Sequence, residues 1–256
     1  MLPHERVDDL QFRGLRIIQD PSAFCFGMDA VLLSDFARIR PGDRVGDLGT
    51  GTGILALLLA GREPRSTFEA FEIQPAMADM ARRSVLLNGL QTRIVVHCGD
   101  MSQASQRLGH GGLSLVVANP PYGRRGETLL NPAMEKRLAR HEVGGTIEAF
   151  CRSAGQLLKY GGRFCVVFPA GRMLELADAM RNACLEPKRM RLVFSKADKP
   201  PHLVLMEGIK GARPMVHMLP PLIIYEVDGQ PTKELERIYH CGPYRQAPGP
   251  SAQGSK

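Results

Sequence analysis

Five short apolar runs constrain this chain more than any other feature: "RVGDLG" (44–49), "TFEAFEI" (67–73), "TRIVVHCGD" (92–100), "LSLVVANPP" (113–121) and "RFCVVFP" (163–169). Segments with helical spacing lie between and after them: "ILALLLAG" (54–61), Pro75 to Asn88, about 146–160, and "RMLELADAMRNACL" (172–185). Strands buried on both faces read as near-continuous apolar runs, and strands alternating with helices build a parallel sheet covered on each side. The punctuation agrees. Pro75 suits a first helical position, Gly89 a C-terminal stop, and Gly161-Gly162 the end of the helix before the fifth strand. Further on, "KRMRLVFSKADKP" and "HLVLMEGIKG" flank a polar turn and predict an antiparallel hairpin at the sheet edge. The expected fold is α/β, a doubly wound Rossmann-like, mostly parallel seven-stranded sheet with that edge hairpin. One domain should span 1–244, and the Pro/Gly/Ser-rich tail 245–256 should be disordered.

A length of 256 residues suffices for one large domain of this class and is too short for two of ordinary size. Lys plus Arg number 33 against 26 Asp plus Glu, a net charge of +7. The isoelectric point is about 9.3, so an anionic partner is expected, nucleic acid first. The cysteines, Cys25, Cys98, Cys151, Cys165, Cys184 and Cys241, include no C-x-x-C pair and no His-Cys cluster at ligand spacing. Two of them, Cys98 and Cys165, sit inside apolar runs as reduced core residues would. This pattern predicts a cytoplasmic protein with no metal. The N-terminus is charged from its fourth residue, which predicts no signal peptide, and the apolar run Ile54 to Ala60 is too short to span a membrane.

"DLGTGTG" (47–53) places Gly49, Gly51 and Gly53 between the first strand and its helix, where they allow a tight turn and close backbone approach to a ligand. Dinucleotide enzymes use similar loops, but Asp47 just ahead of the glycines would repel a pyrophosphate and hold an ammonium. Glu72 ends the second strand, where a carboxylate can accept two ribose hydroxyls. Asp100, after the third strand, can accept from an adenine amine. Three carboxylates at the C-terminal ends of successive strands are expected to face one crevice, and together they describe S-adenosylmethionine, a cationic ligand without phosphate.

The fourth strand stops at Asn119-Pro120-Pro121-Tyr122. Prolines fix φ and remove backbone donors, which leaves a stiff turn lined by carbonyls. The Asn119 side-chain carbonyl and the Pro120 main-chain carbonyl fit a planar –NH2 group with two hydrogens to give. Tyr122 adds a flat face for a base or amide plane. Acceptors on both hydrogens favour the tetrahedral nitrogen, so these residues would act on the transition state with neither a metal nor a histidine base.

With these motifs in order, the chain resembles the class I S-adenosylmethionine methyltransferases. More closely it is similar to the bacterial tRNA1(Val) (adenine-N6)-methyltransferase family. The likeness runs through "FGMDAVLLSDF" (26–36), "DLGTGTG", "FEIQPAMADMARRSVLLNGL" (71–90), "GDM" (99–101), "VVANPPYGR", "RLARHE" (137–142), "LLKYGGRFCVVFP" (157–169), "PKRMRLVFSKADKPPHLVLMEGIKG" (187–211) and "PPLIIYEVDG" (220–229). It implies cofactor contacts at Phe26, Asp29, Asp47, Gly49, Thr50, Gly51, Gly53, Glu72, Ile73, Asp100, Met101 and Asn119, with 1–43 as a segment closing over the cofactor. Asn119, Pro120, Pro121 and Tyr122 would hold the target amine. Two residues depart from the family pattern: Gly46 stands for a bulky strand residue and Ser114 for an acid, and both predict local weakening of packing or capping. The same N-P-P-Y also serves guanine-N2 methylation of ribosomal RNA and glutamine-amide methylation of proteins. A non-catalytic RNA-binding adaptor is the reading from another class. Candidate tRNA contacts are the basic stretches bearing Arg124, Arg125, Lys136, Arg137 and Arg140, then Lys188 and Arg189. A monomer or weak homodimer is expected.

Overall fold

Each apolar run forms a strand where it is expected, and the sheet they build sets the order of the functional strand ends. The computed structural model describes residues 2–21, 27–121 and 145–240. An N-terminal hairpin pairs β1 (Arg6–Asp9) with β2 (Arg16–Gln19) and is followed by α1 (Met28–Phe36). The central units are β3 (Arg44–Leu48), α2 (Ile54–Arg62), β4 (Thr67–Glu72), α3 (Pro75–Leu87), β5 (Ile94–Cys98), α4 (Ala104–Leu108) and β6 (Leu113–Ala118). After residue 144 come α5 (Ile147–Leu157), β7 (Leu158–Pro169), α6 (Met173–Asn182), β8 (Leu185–Phe194) and β9 (Pro201–Lys210). Two-residue strands β10 (His217–Met218) and β11 (Leu222–Ile223), and helix α7 (Lys233–His240), complete the described chain.

The long strands lie in the order β8-β9-β7-β6-β3-β4-β5, seven as expected. Only β9 runs antiparallel to its neighbours. The hairpin is not a bare edge, because β10 and β11 both pair in parallel with β8. Short flanking strands of this kind cover an otherwise open row of backbone groups. The chain runs β3, β4, β5 outward in one direction and then returns to β6 on the other flank of β3, so the reversal lies between β3 and β6.

Two apolar cores sandwich the sheet, one under α1, α2 and α7, the other under α4, α5 and α6. Helix α2 is buried along Ile54 to Ala60, because α1 and the N-terminal hairpin cover the side turned away from the sheet. Strand β2 is pinned to α3: the Ile18 N–H donates to Ser84 Oγ at 2.9 Å, and the Arg16 N–H to Asn88 Oδ1 at 2.9 Å. This hairpin, α1 and α7 are additions to what the sequence predicts, being too short for periodicity to separate them from loops. Among the described residues, Cys98, Cys151, Cys165 and Cys184 are free thiols, and burial pushes the Cys151 thiol up to about 12.

Three local expectations are corrected. Helix α5 ends at Leu157, ahead of Gly161-Gly162. Leu158 already pairs with Leu113, and the next pairing is Arg163 with Leu115, so Lys159 to Gly162 bulge out of the ladder. Gly46 weakens no packing: a Cβ there would lie 2.7 Å from Leu113 Cδ1 and 3.3 Å from Val116 Cγ2, so the missing side chain's space is filled by its neighbours. Ser114 is likewise engaged. Its hydroxyl donates to Asp43 Oδ1 at 2.7 Å and accepts the Arg44 N–H at 3.0 Å. A carboxylate at 114 would confront Asp43, whose other oxygen binds Arg163 at 2.9 Å.

Candidate active site

Register brings the functional strand ends together. Leu48 pairs with both Phe71 and Ala118, and Glu72 pairs with Cys98. Gly49, Glu72, Asp100 and Asn119 therefore stand at the ends of four adjacent strands at one end of the sheet, on both sides of the chain reversal. In open α/β sheets that position is where ligands bind.

Main-chain bonds shape the glycine loop. The Gly49 and Thr50 N–H groups both donate to the Phe71 carbonyl at 2.9 Å. Gly49 and Gly51 hold φ of 70° and 59°, the left-handed region that disfavours other side chains, and a Cβ on Gly49 would sit 3.3 Å from the Phe150 ring. Phe150, on α5, is a positioning residue that the sequence motifs miss. Its only signal is its place on the apolar face of that helix. Gly53 N-caps α2.

Asp47 corrects one expectation. It is 0% exposed and lies under the loop, so it does not face the crevice as an open carboxylate. Oδ2 accepts from Thr50 Oγ1 at 2.5 Å, while Oδ1 is buried without a hydrogen-bond partner. Burial, with the Glu72 charge adding to it, pushes the carboxyl up to about 7. Glu72 is 6% exposed; its two oxygens accept the Gly51 and Gln74 N–H groups, each at 2.9 Å. Burial raises its pKa, against the pull of these backbone donors. Each oxygen keeps a lone pair, enough for two hydroxyls. Asp100 is exposed and accepts the Ser102 N–H at 2.8 Å, which caps a 3-10 turn over Met101–Gln103. Met101 is buried behind that turn and Ile73 is half-buried beyond Glu72. Asp29 stands in the first turn of α1. Asn119 is half-buried, Pro120 buried and Pro121 half-buried.

The arrangement sets backbone-held carboxylates beside the proline-terminated end of the neighbouring strand. The profile of the family described as the Methyltransferase small domain matches residues 15–188. The chain belongs to this family.

Within it, the tRNA1(Val) (adenine(37)-N6)-methyltransferase of Porphyromonas gingivalis is 31% identical over 78% of this chain and 80% of its own length. The protein of the same name from Erwinia tasmaniensis is 34% identical over 68% and 70%. These relatives place the chain in the tRNA1(Val) (adenine-N6)-methyltransferase family. Among solved structures, a predicted O-methyltransferase from Agrobacterium tumefaciens superposes with a TM-score of 0.68 at 22% identity, over 83% of this chain and 95% of that one. Pyrococcus horikoshii TYW2 in complex with MeSAdo superposes at 0.55 and 15% identity, over 82% and 73%. At such identities the two structures share the fold.

For this methyltransferase domain the remaining expectations divide. Phe26, Tyr122, Arg124, Arg125, Lys136, Arg137 and Arg140 lie outside the described residues. Arg189 is corrected: it is 7% exposed, ion-paired with Glu207 at 3.2 Å and bonded to the Phe36 carbonyl, so it cannot reach RNA. Its position alternates inward on β8, which a run of cations conceals. Lys188 is half-buried on β8, three strands across the sheet from Asn119. Among the described residues no group of three potential ligands could hold a metal, and no helix is long and apolar enough to cross a membrane.

Proposed function

We propose that this chain transfers a methyl group from S-adenosylmethionine to the exocyclic N6 amine of an adenine beside the anticodon of a valine tRNA, the substrate class in its relatives' name. The supporting observation is the alignment of Asn119 with the glycine loop, Glu72 and Asp100 across four adjacent strands. The cofactor fits the residues present. The carboxylates of Glu72 and Asp100 at the strand ends suit a ligand that offers hydroxyls and an amine, and they oppose a pyrophosphate. Bound S-adenosylmethionine supplies an electrophilic methyl on a sulfonium.

The chain's own residues do the rest. Glu72, its orientation set by the Gly51 and Gln74 N–H groups, accepts the ribose hydroxyls, and Asp100 accepts from the adenine amine of the cofactor. Asp47 acts through Thr50, holding the loop's shape. Asn119 and Pro120 present two carbonyls to the target amine. As its nitrogen becomes tetrahedral, these acceptors share the developing positive charge and aim the lone pair into the crevice. The surplus proton leaves to solvent once the new N–C bond has formed. Tyr122 provides the stacking face that follows the turn.

The test is product identity. Protein incubated with methyl-labelled cofactor and unmodified valine tRNA should yield labelled N6-methyladenosine in the nuclease digest, read by mass spectrometry. Labelled N2-methylguanosine, or label only in protein glutamine, would replace this reading.

A further inference from the structure

Among the described residues, the rim beside Asn119 offers little for a polyanion. The β8–β9 turn at that end of the sheet carries Lys196 and Lys199, but Lys199 stands 3.9 Å from Asp198, and Lys196 donates to the Val227 carbonyl between Glu226 and Asp228. Among the same described residues, uncompensated positive charge gathers toward the other end. There Lys159 and Tyr160 sit in the bulge ahead of Arg163, Lys188 near the start of β8, Lys210 at the end of β9, and Arg213 just beyond.

Hydrogen bonds join these residues into one surface. Lys188 Nζ donates to the Arg213 carbonyl at 3.0 Å, Lys210 Nζ to the Leu158 carbonyl at 2.8 Å, and the Tyr160 hydroxyl to the Gly211 carbonyl at 2.8 Å. The acceptors are neutral, so the ammonium groups are positioned without being neutralised. Among the described residues none of the four cations is in an ion pair; the nearby Glu186 faces Arg181 at 3.5 Å. Tyr160 is 80% exposed with its hydroxyl tethered, which fixes a ring face toward solvent. Fixed cations around an exposed aromatic face are the elements of nucleic-acid binding.

We infer that Lys159, Tyr160, Lys188, Lys210 and Arg213 form a second RNA-contact surface that takes the backbone phosphates of the stem leading away from the target loop. The inference rests on the proposed tRNA substrate. Register supports the distance: Ala118, Val166 and Met206 share a level, and Lys210 lies four residues further along β9. That is about 13 Å along the strands and about 10 Å across them. A duplex carries a charge roughly every 1.7 Å of its axis, so a stem leaving the catalytic end passes several phosphates in that interval.

The test compares wild type with the triple variant Lys159→Ala, Lys210→Ala, Arg213→Ala in equilibrium binding of unmodified tRNA and of a single-stranded heptanucleotide containing the target adenine. The variant should bind tRNA about tenfold or more weakly at low salt, with a log-affinity against log-salt slope shallower by about one to three. Heptanucleotide binding, cofactor binding by calorimetry and melting temperature should be unchanged, and Lys159→Arg with Lys210→Arg should behave as wild type. Unchanged tRNA affinity and slope overturn the inference. So does equal loss on both RNAs, which would place the effect at the catalytic end, and so does loss of binding to acidic phospholipid vesicles with tRNA binding intact. Binding needs no turnover, so a wild-type protein that methylates no tRNA would sink the proposed activity while this comparison still decides the surface.

Discussion

At the C-terminal end of the parallel strands, carboxylates are held by main-chain N–H groups: Glu72 by Gly51 and Gln74, Asp100 by Ser102. At the N-terminal end, guanidinium groups are held by buried side chains and helix carbonyls. Arg163 bridges Asp43 at 2.9 Å and Glu207 at 3.5 Å and donates to the Ala37 and Arg38 carbonyls, while Arg189 reaches the Phe36 carbonyl. The first end is set by loop shape, the second by a lattice of charges that caps the C-terminus of α1, where cations suit the helix dipole. Loop-held carboxylates stay open to a ligand on one side. Lattice-held arginines direct their donors to buried carboxylates and backbone carbonyls and stabilise the domain. A substitution at one end should therefore change chemistry, and at the other stability.

The largest effect expected is at the lattice. Arg163→Met leaves Asp43 and Glu207 buried without their shared partner and should cost about 3–5 kcal/mol of stability. Cofactor affinity of the protein that remains folded should be unchanged. Denaturant titration showing wild-type stability would dissolve the contrast. Next is Asn119→Ala, which should slow single-turnover methyl transfer roughly a hundredfold, as loss of one preorganised polar group does elsewhere. The melting temperature and tRNA affinity should hold. Near-normal chemistry would reduce the proline turn to a strand stop.

Glu72→Ala should weaken cofactor binding on the order of tenfold, since it removes an acceptor of ribose and the clamp on Gly51. Calorimetry with wild-type affinity would remove Glu72 from the site. The last contrast is a pH slope from Asp47. Its ordinary value is 3.8 and the folded value is about 7, so between them the folded state keeps a proton that the unfolded chain has released. Stability should fall as pH rises through that window, by at most about 1.4 kcal/mol per pH unit. Asp47→Asn should flatten the profile between about pH 4 and 7. Parallel melting curves for the two proteins would show that Asp47 ionises normally.

The sheet was legible because burial on both faces writes strands as apolar runs, and the strand-end carboxylates because each follows such a run directly. Asp47 was found but misdirected: spacing locates a residue on a strand without saying whether its side chain meets the crevice or the space beneath the loop. Arg189 failed similarly. The run Lys188 to Arg191 counts as three cations in composition, while strand alternation sends Arg189 inward to Glu207 and leaves Lys188 outward. The surface at Lys159 and Lys210 could not be read from spacing, because its members are joined only through the bulge opposite Leu113 and the pairing of β8 with β9.

The close approach at Gly46 also fixes the order in which substitutions can accumulate. Restoring a bulky residue there while Leu113 remains should cost about 1–3 kcal/mol through overpacking, because Leu113 Cδ1 occupies that volume. Trimming Leu113 first opens the room, and the same change at 46 then refills it. The two sites are epistatic: a path from this chain toward a bulky residue at 46 runs through 113, and the single change at 46 gives a misleading measure of what that position tolerates.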